Sequence, residues 1–127
     1  MISTLQKPVG SGFDSKSNAD EITKDIDLTG KIAIVTGGYS GIGIETTRAL
    51  INSGAEVIIP AKRSEVAIKN LEGIVSKENV IEMDLSDLNS VKNFTDGYKE
   101  NFNRLDLLIN NAGIMACPET RIGNNWE

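Results

Sequence analysis

The 127-residue chain carries 13 basic and 18 acidic side chains, no histidine and a single cysteine, Cys117. Its net charge of −5 disfavours non-specific binding to nucleic acid or to an anionic membrane surface. The lack of histidine beside one cysteine excludes an internal disulfide framework and the common zinc and iron constellations. Apolar residues at 39% and charged residues at 24% mark one globular domain or part of one. No run reaches the roughly 18 consecutive apolar residues of a membrane span, and "MISTLQKPVGSGFD" lacks the apolar core of a secretory signal, so a soluble cytoplasmic protein is expected.

Residues 1–26 read as an N-terminal extension: "GSGFDSKSN" is irregular, and a short helix is expected over Ala19 to Ile26, with Asp20 and Glu21 in its first turn. From residue 27 onward, short apolar runs alternate with helical patterns, which implies parallel strands joined by crossover helices. The first strand is Lys31 to Val35. The helix after it places Ile42, Thr46, Ala49, Leu50 and Ser53 on one side and ends at Gly54. Val57 to Ile59 form the heart of a second strand, expected from Glu56 to Ile59 and stopped by Pro60, with the unbroken apolar run of a strand covered on both faces.

Ser64 is the expected N-cap of a helix with Ala67, Ile68 and Leu71 inward, closed by Gly73. A third strand follows over Val80 to Met83. Ser86 is expected to cap a longer helix carrying Leu88, Val91, Phe94, Tyr98 and Phe102 at helical spacing, and Leu105 to Asn110 make a fourth strand. Right-handed crossovers then favour an α/β doubly wound parallel sheet, Rossmann-like.

Ligands of such sheets sit beyond the carboxyl ends of the strands, at the switch point of strand order. The conspicuous polar and glycine-rich segments lie at those ends: "TGGYSGIG", "AKRS", "DLSD" and "NNAG". Four glycines fall between positions 37 and 43, where each costs about 0.5–1 kcal/mol in regular structure. The loop also leads into a helix N-terminus, where unpaired N–H groups and the helix dipole favour phosphate. A side chain at Gly41 would obstruct a close-lying ligand. The spacing G-x-x-x-G-x-G differs from the G-x-G-x-x-G dinucleotide fingerprint.

"TGGYSGIG" resembles the T-G-x-x-x-G-I-G cofactor motif of short-chain dehydrogenases/reductases, and "NNAG" resembles their motif at the end of the fourth strand. The resemblance covers Asp27 to about Trp126, and "VIIPAKR" and "NNAGIMACPETR" look most like the subgroup related to retinol dehydrogenases and similar bacterial oxidoreductases. It implies a Rossmann fold, represented by its N-terminal half with strand order 3-2-1-4, that binds NAD or NADP and interconverts alcohols and carbonyls. Carried over by residue, Gly37, Gly41, Ile42 and Gly43 would line the pyrophosphate with Ser40 near the phosphates. Asp84 and Leu85 would contact the adenine. Asn111, Ala112 and Gly113 would lie beside the adenosine-side ribose and the nicotinamide half.

Cofactor choice has a physical basis. NAD-preferring Rossmann proteins place an acidic residue about 20 residues past the glycines, where it takes the ribose hydroxyls and repels a 2′-phosphate. Ala61, Lys62 and Arg63 occupy that region, with no acid. Lys and Arg favour phosphate, so NADP is expected over NAD, with Lys62 and Arg63 as its recognition residues.

The family's chemistry uses a Tyr-x-x-x-Lys pair, in which the lysine ammonium lowers the tyrosine pKa. Tyr39 and Tyr98 are followed four residues later by Gly43 and Phe102, so neither has that partner. The expectation is a partial domain over 27–127, truncated before the catalytic segment and inactive by itself. Its open strand-four edge invites association into a homo-oligomer. A non-catalytic NADP-binding or interaction module is the alternative. Cys117 is expected to be a buried or idle thiol, Tyr98 a core residue, and Trp126 the start of a further helix.

Overall fold

Two apolar runs without polar interruption form the centre of the sheet. In the computed structural model, which describes residues 7–122, they are β1 (Ile32–Val35) and β2 (Glu56–Ala61). They are flanked by β3 (Val80–Glu82) and β4 (Leu107–Ile109). All pairs are parallel and the order is β3-β2-β1-β4, with Ala33 level with both Val57 and Leu107. The chain therefore has the doubly wound, Rossmann-like order expected of it.

The helices are α1 (Ala19–Thr23), α2 (Gly41–Asn52), α3 (Ser64–Asn70) and α4 (Leu88–Asn101). Strand side chains alternate between faces with a period of two, and the core divides accordingly. Ala33, Val35, Val57, Ile59 and Ala61 pack with Ala67 and Leu71 on the side of α2 and α3. Ile34, Ile58 and Met83 pack with Phe94 and Tyr98 of α4 on the other. Ile58 and Ile59 are both wholly buried, each against a different layer, which is why β2 reads as continuously apolar. At the amino ends of the strands, Asp106 accepts from the Ile32 N–H at 2.9 Å and pairs with Arg104 and Lys31. No helix among the described residues is long and apolar enough to cross a membrane.

Several local expectations are corrected. Pro60 lies inside β2, opposite Ile81. The Ala61 carbonyl accepts from Met83 on the β3 side, so the proline nitrogen faces the other way. There the pairing with β1 has already ended at Ile34 with Ile58, and the missing N–H costs no ladder bond. Arg63 rather than Ser64 is the N-cap of α3. Asp87 rather than Ser86 caps α4, its carboxylate accepting from the Asn89 N–H at 2.9 Å. Ser86 is engaged by Asp84 instead.

Ile42, Ile68 and Leu88 are exposed rather than inward. The buried positions of α2 are Gly43, Thr47 and Ala49, so its inner face is rotated from the expected one. Cys117 is exposed. α1 stops at Thr23 because it buries no residue that would hold a longer helix; a capping box between Asn18 and Glu21 fixes its start. Past α1, the Leu28 N–H donates to the Ser53 carbonyl at 2.7 Å, joining this segment to the end of α2. Trp126 lies outside the described residues.

Candidate functional site

Thr36 links the two loops that meet at the switch point. Its backbone N–H donates to the Ile109 carbonyl at 3.1 Å, extending the ladder between β1 and β4 by one residue. Its hydroxyl oxygen accepts from the backbone N–H groups of Asn111 at 3.1 Å and Ala112 at 3.0 Å. Asn111 answers with its side chain, whose amide donates to the carbonyls of Thr36 at 2.9 Å and Gly37 at 3.2 Å. The glycine loop and the "NNAG" segment are thus fastened by one reciprocal network. The Asn111 side chain acts inside the protein, fixing the loop.

Gly37 turns the chain at φ +63° and Gly41 at φ +53°, in the left-handed region that glycine alone adopts cheaply. The other glycines in the loop answer to crowding. A Cβ on Gly38 would sit 2.6 Å from the Thr47 hydroxyl oxygen. One on Gly43 would press into the Gly37 carbonyl and come 2.5 Å from the Asn111 amide nitrogen. Thr47 is wholly buried, and its hydroxyl donates to the Gly38 carbonyl at 2.7 Å. Asn70 of α3 donates to the Tyr39 carbonyl at 3.1 Å.

Around Gly41 the arrangement is open. A Cβ there would meet nothing within 4 Å. Ser40, the N-cap of α2, makes no side-chain capping bond, so the first turn of α2 keeps donors without a side-chain partner. A rigid loop, an open approach and uncapped N–H groups at a helix dipole's positive end fit an anionic phosphate group.

The surrounding cleft has two lobes. One, of about 590 Å³, is bordered by Ser40, Ile42, Gly43, Asn111 and Met115. The other, of about 570 Å³, is bordered by Thr36, Pro60, Lys62, Asp84, Leu85 and Ser86. Gly37, Tyr39, Ala112, Gly113 and Ile114 border both, so the lobes are continuous across the switch point. The structure therefore brings expected residues from the end of each strand to one cleft, although Gly41 itself borders neither lobe. Arg63 borders neither lobe and stands exposed at the start of α3, next to Lys62. A smaller hollow of about 330 Å³ lies at the other end of the sheet, between α4 and Arg104 and Leu105.

At the β2 and β3 end of the cleft, Lys62 Nζ lies 2.9 Å from Asp84 Oδ2. The other carboxylate oxygen accepts from the Ser86 N–H at 2.8 Å and hydroxyl at 2.6 Å. The Ser86 hydroxyl, then Lys62, then the Ser86 N–H hold the Asp84 carboxyl down to about 2. Tyr98 is remote from the cleft: its hydroxyl donates to the Arg104 carbonyl at 2.8 Å, and burial pushes its phenol upward.

Residues 31–125 match the family model of short chain dehydrogenases, and the chain belongs to that family. It is similar to short-chain dehydrogenase TIC 32 B, chloroplastic, of Brassica napus, with 40% identity over 85% of this chain and 35% of that protein. It is also similar to retinol dehydrogenase 12 of Bos taurus, with 35% identity over 81% of this chain and 34% of that protein. The chain spans about a third of the length of these curated relatives. A solved structure from Mycobacterium paratuberculosis superposes with a TM-score of 0.70 at 32% identity, covering 87% of this chain and 39% of that one. The Pseudomonas aeruginosa RhlG/NADP active-site complex superposes at 0.61 and 34%, covering 70% and 37%.

Thr36, Thr47 and Tyr39 are site residues that the sequence reading did not single out. Thr36 is the first letter of the quoted motif, so a signal was present. Thr47 sits one position from Thr46, and only the true rotation of α2 selects it.

Proposed function

We propose that the whole protein is an NADP-dependent oxidoreductase that moves a hydride between the cofactor and an alcohol or carbonyl substrate, and that residues 27–127 form the half that holds the dinucleotide. The observation that carries the reading is the open, uncapped glycine loop at the head of α2, fastened to the end of β4 and continuous with a two-lobed cleft.

Gly37, Gly41, Ile42 and Gly43, with Ser40, would hold the pyrophosphate through backbone donors. Asp84 and Leu85 would border the adenine, and Asn111, Ala112 and Gly113 the ribose and nicotinamide half. When bound, the nicotinamide supplies or accepts the hydride. Lys62 and Arg63 favour a 2′-phosphate, and the NADP named in the description of the RhlG relative supports the same choice. Residues 1–26 serve as an extension, the protein works in the cytoplasm, and the β4 edge supports self-association.

Neither tyrosine can act as the proton carrier in this chain. Tyr98 is engaged at the far end of the sheet, and Tyr39 has no lysine four residues on. The 127-residue chain therefore binds cofactor without turnover. Titration with NADP and NAD tests the reading: NADP should bind more tightly, and Lys62→Ala with Arg63→Ala should remove the preference. Equal affinities, or a double variant that keeps the preference, would refute NADP selection. Turnover above background by the purified chain would refute inactivity.

A further inference from the structure

Successive carbonyls of the glycine loop are held by side chains from three parts of the fold. Asn111, after β4, donates to the carbonyls of Thr36 and Gly37, and Thr47 of α2 donates to that of Gly38. Asn70, the last residue of α3, donates to that of Tyr39 at 3.1 Å. Across a planar trans peptide the C=O and the next N–H point in opposite directions. The N–H groups of Gly37, Gly38, Tyr39 and Ser40 are therefore turned away from these donors. None of them donates to a group among the described residues, and Ser40 borders the first lobe of the cleft.

Asn70 differs from the other two donors. Thr47 is wholly buried and Asn111 ties two loops together, whereas Asn70 is exposed and its side chain makes only this hydrogen bond among the described residues. Both ends of the link are anchored. Leu71, next to Asn70, is wholly buried, and Tyr39 packs partly buried against the same core while bordering both lobes. We propose that Asn70 is a positioning residue for phosphate: by holding the Tyr39 carbonyl it sets the Tyr39–Ser40 peptide so that the Ser40 N–H faces the ligand. This rests on the dinucleotide reading above. Without the amide, water solvates the Tyr39 carbonyl and the peptide plane can rotate, because Gly41 beyond it resists little. Ordering that peptide then falls to the binding step and weakens affinity.

The test compares the parent chain with Asn70→Leu, which keeps the size of the side chain and removes the donor; Asn70→Ala should behave alike. In nitrogen-15 relaxation of the ligand-free chain, the Ser40 N–H should have the rigid order parameter of about 0.85 in the parent and fall toward about 0.6 in the variant. The N–H groups of Gly37, Gly38 and Tyr39 should stay rigid, because Asn111 and Thr47 still hold their peptides. Affinity of the folded chain for inorganic pyrophosphate and for NADP, titrated at one fixed ionic strength, should fall about two- to tenfold, the worth of one hydrogen bond.

A purely structural role would lower the urea midpoint and leave the affinity of the folded chain alone, and that pattern would overturn the proposal. So would a Ser40 N–H as rigid in the variants as in the parent, or a loosened one with unchanged affinity. A parent that binds pyrophosphate at the loop but not NADP would refute the dinucleotide reading alone, because the effect of Asn70 is read on pyrophosphate as well. A parent that binds neither would overturn both.

Discussion

Replacing Gly43 with alanine sets two effects of opposite sign against each other. Gly43 lies in the first turn of α2, and alanine there gains at most about 1 kcal/mol of helix propensity. The added methyl would press into the Gly37 carbonyl, a backbone atom that cannot rotate away, and crowd the Asn111 amide. Overpacking of this kind costs about 1–3 kcal/mol. Displacing Asn111 also weakens its two bonds to Thr36 and Gly37, worth about 0.5–1.5 kcal/mol each. The net expectation is a destabilisation of about 1–5 kcal/mol, read as a lower urea midpoint with unchanged slope. Gly41→Ala is the control: its Cβ direction is open, and only the cost of a left-handed alanine, about 1 kcal/mol, remains. If Gly43→Ala were as stable as the parent or more so, propensity would have prevailed and the packing of loop on helix would be misjudged.

Other outcomes follow from single contacts. Thr47→Val keeps the side-chain shape but leaves the buried Gly38 carbonyl without its donor, so stability should fall by about 1–3 kcal/mol, as urea unfolding would show. Tyr98→Phe removes the bond to the Arg104 carbonyl while keeping the ring beside Phe102, at 4.7 Å between centroids. A loss of about 0.5–1.5 kcal/mol is expected, with cofactor affinity unchanged because the ring is remote from the cleft. The Asp84 carboxyl is held at about 2 in the folded chain, below the ordinary value of about 3.9. Its contribution to stability is therefore complete above about pH 4 and is lost as the pH falls through 2. Ser86→Ala should raise its NMR midpoint more than Lys62→Ala, and a parent midpoint near 4 would contradict the network.

What was legible in the sequence was whatever periodicity and glycine spacing determine locally. The two-sided burial of Val57 to Ile59 and the gathering of four loop segments at one end of the sheet follow from apolar runs alternating with helices, and the strand order is what the family resemblance implies. Helix rotation was harder to read. Ile42 looks inward by composition, yet Gly43 and Thr47 take the buried side because α2 must approach the glycine loop closely, and that demand comes from the tertiary contact of Gly43 with Gly37 and Asn111. Caps failed for a related reason. Ser86 and Asp87 are both good caps in isolation, and Asp84 claims Ser86 through a contact two residues back. Pro60 looks like a stop in the sequence, yet its missing N–H matters only if a neighbour strand needs it. That depends on β1 ending earlier than β2, a fact of register. The Lys62–Asp84 pair joins residues 22 positions apart, which no local pattern could align.

The central claim is that the two-lobed cleft at the carboxyl ends of the strands holds a dinucleotide. The most direct measurement is a nitrogen-15 NMR titration of the 127-residue chain with NADP. The account predicts saturable shifts concentrated at 37–43, 84–86 and 111–114, with α4 and residues 104–106 unmoved. Shifts centred on the hollow beside α4, or no saturable shift while the chain remains folded, would contradict it.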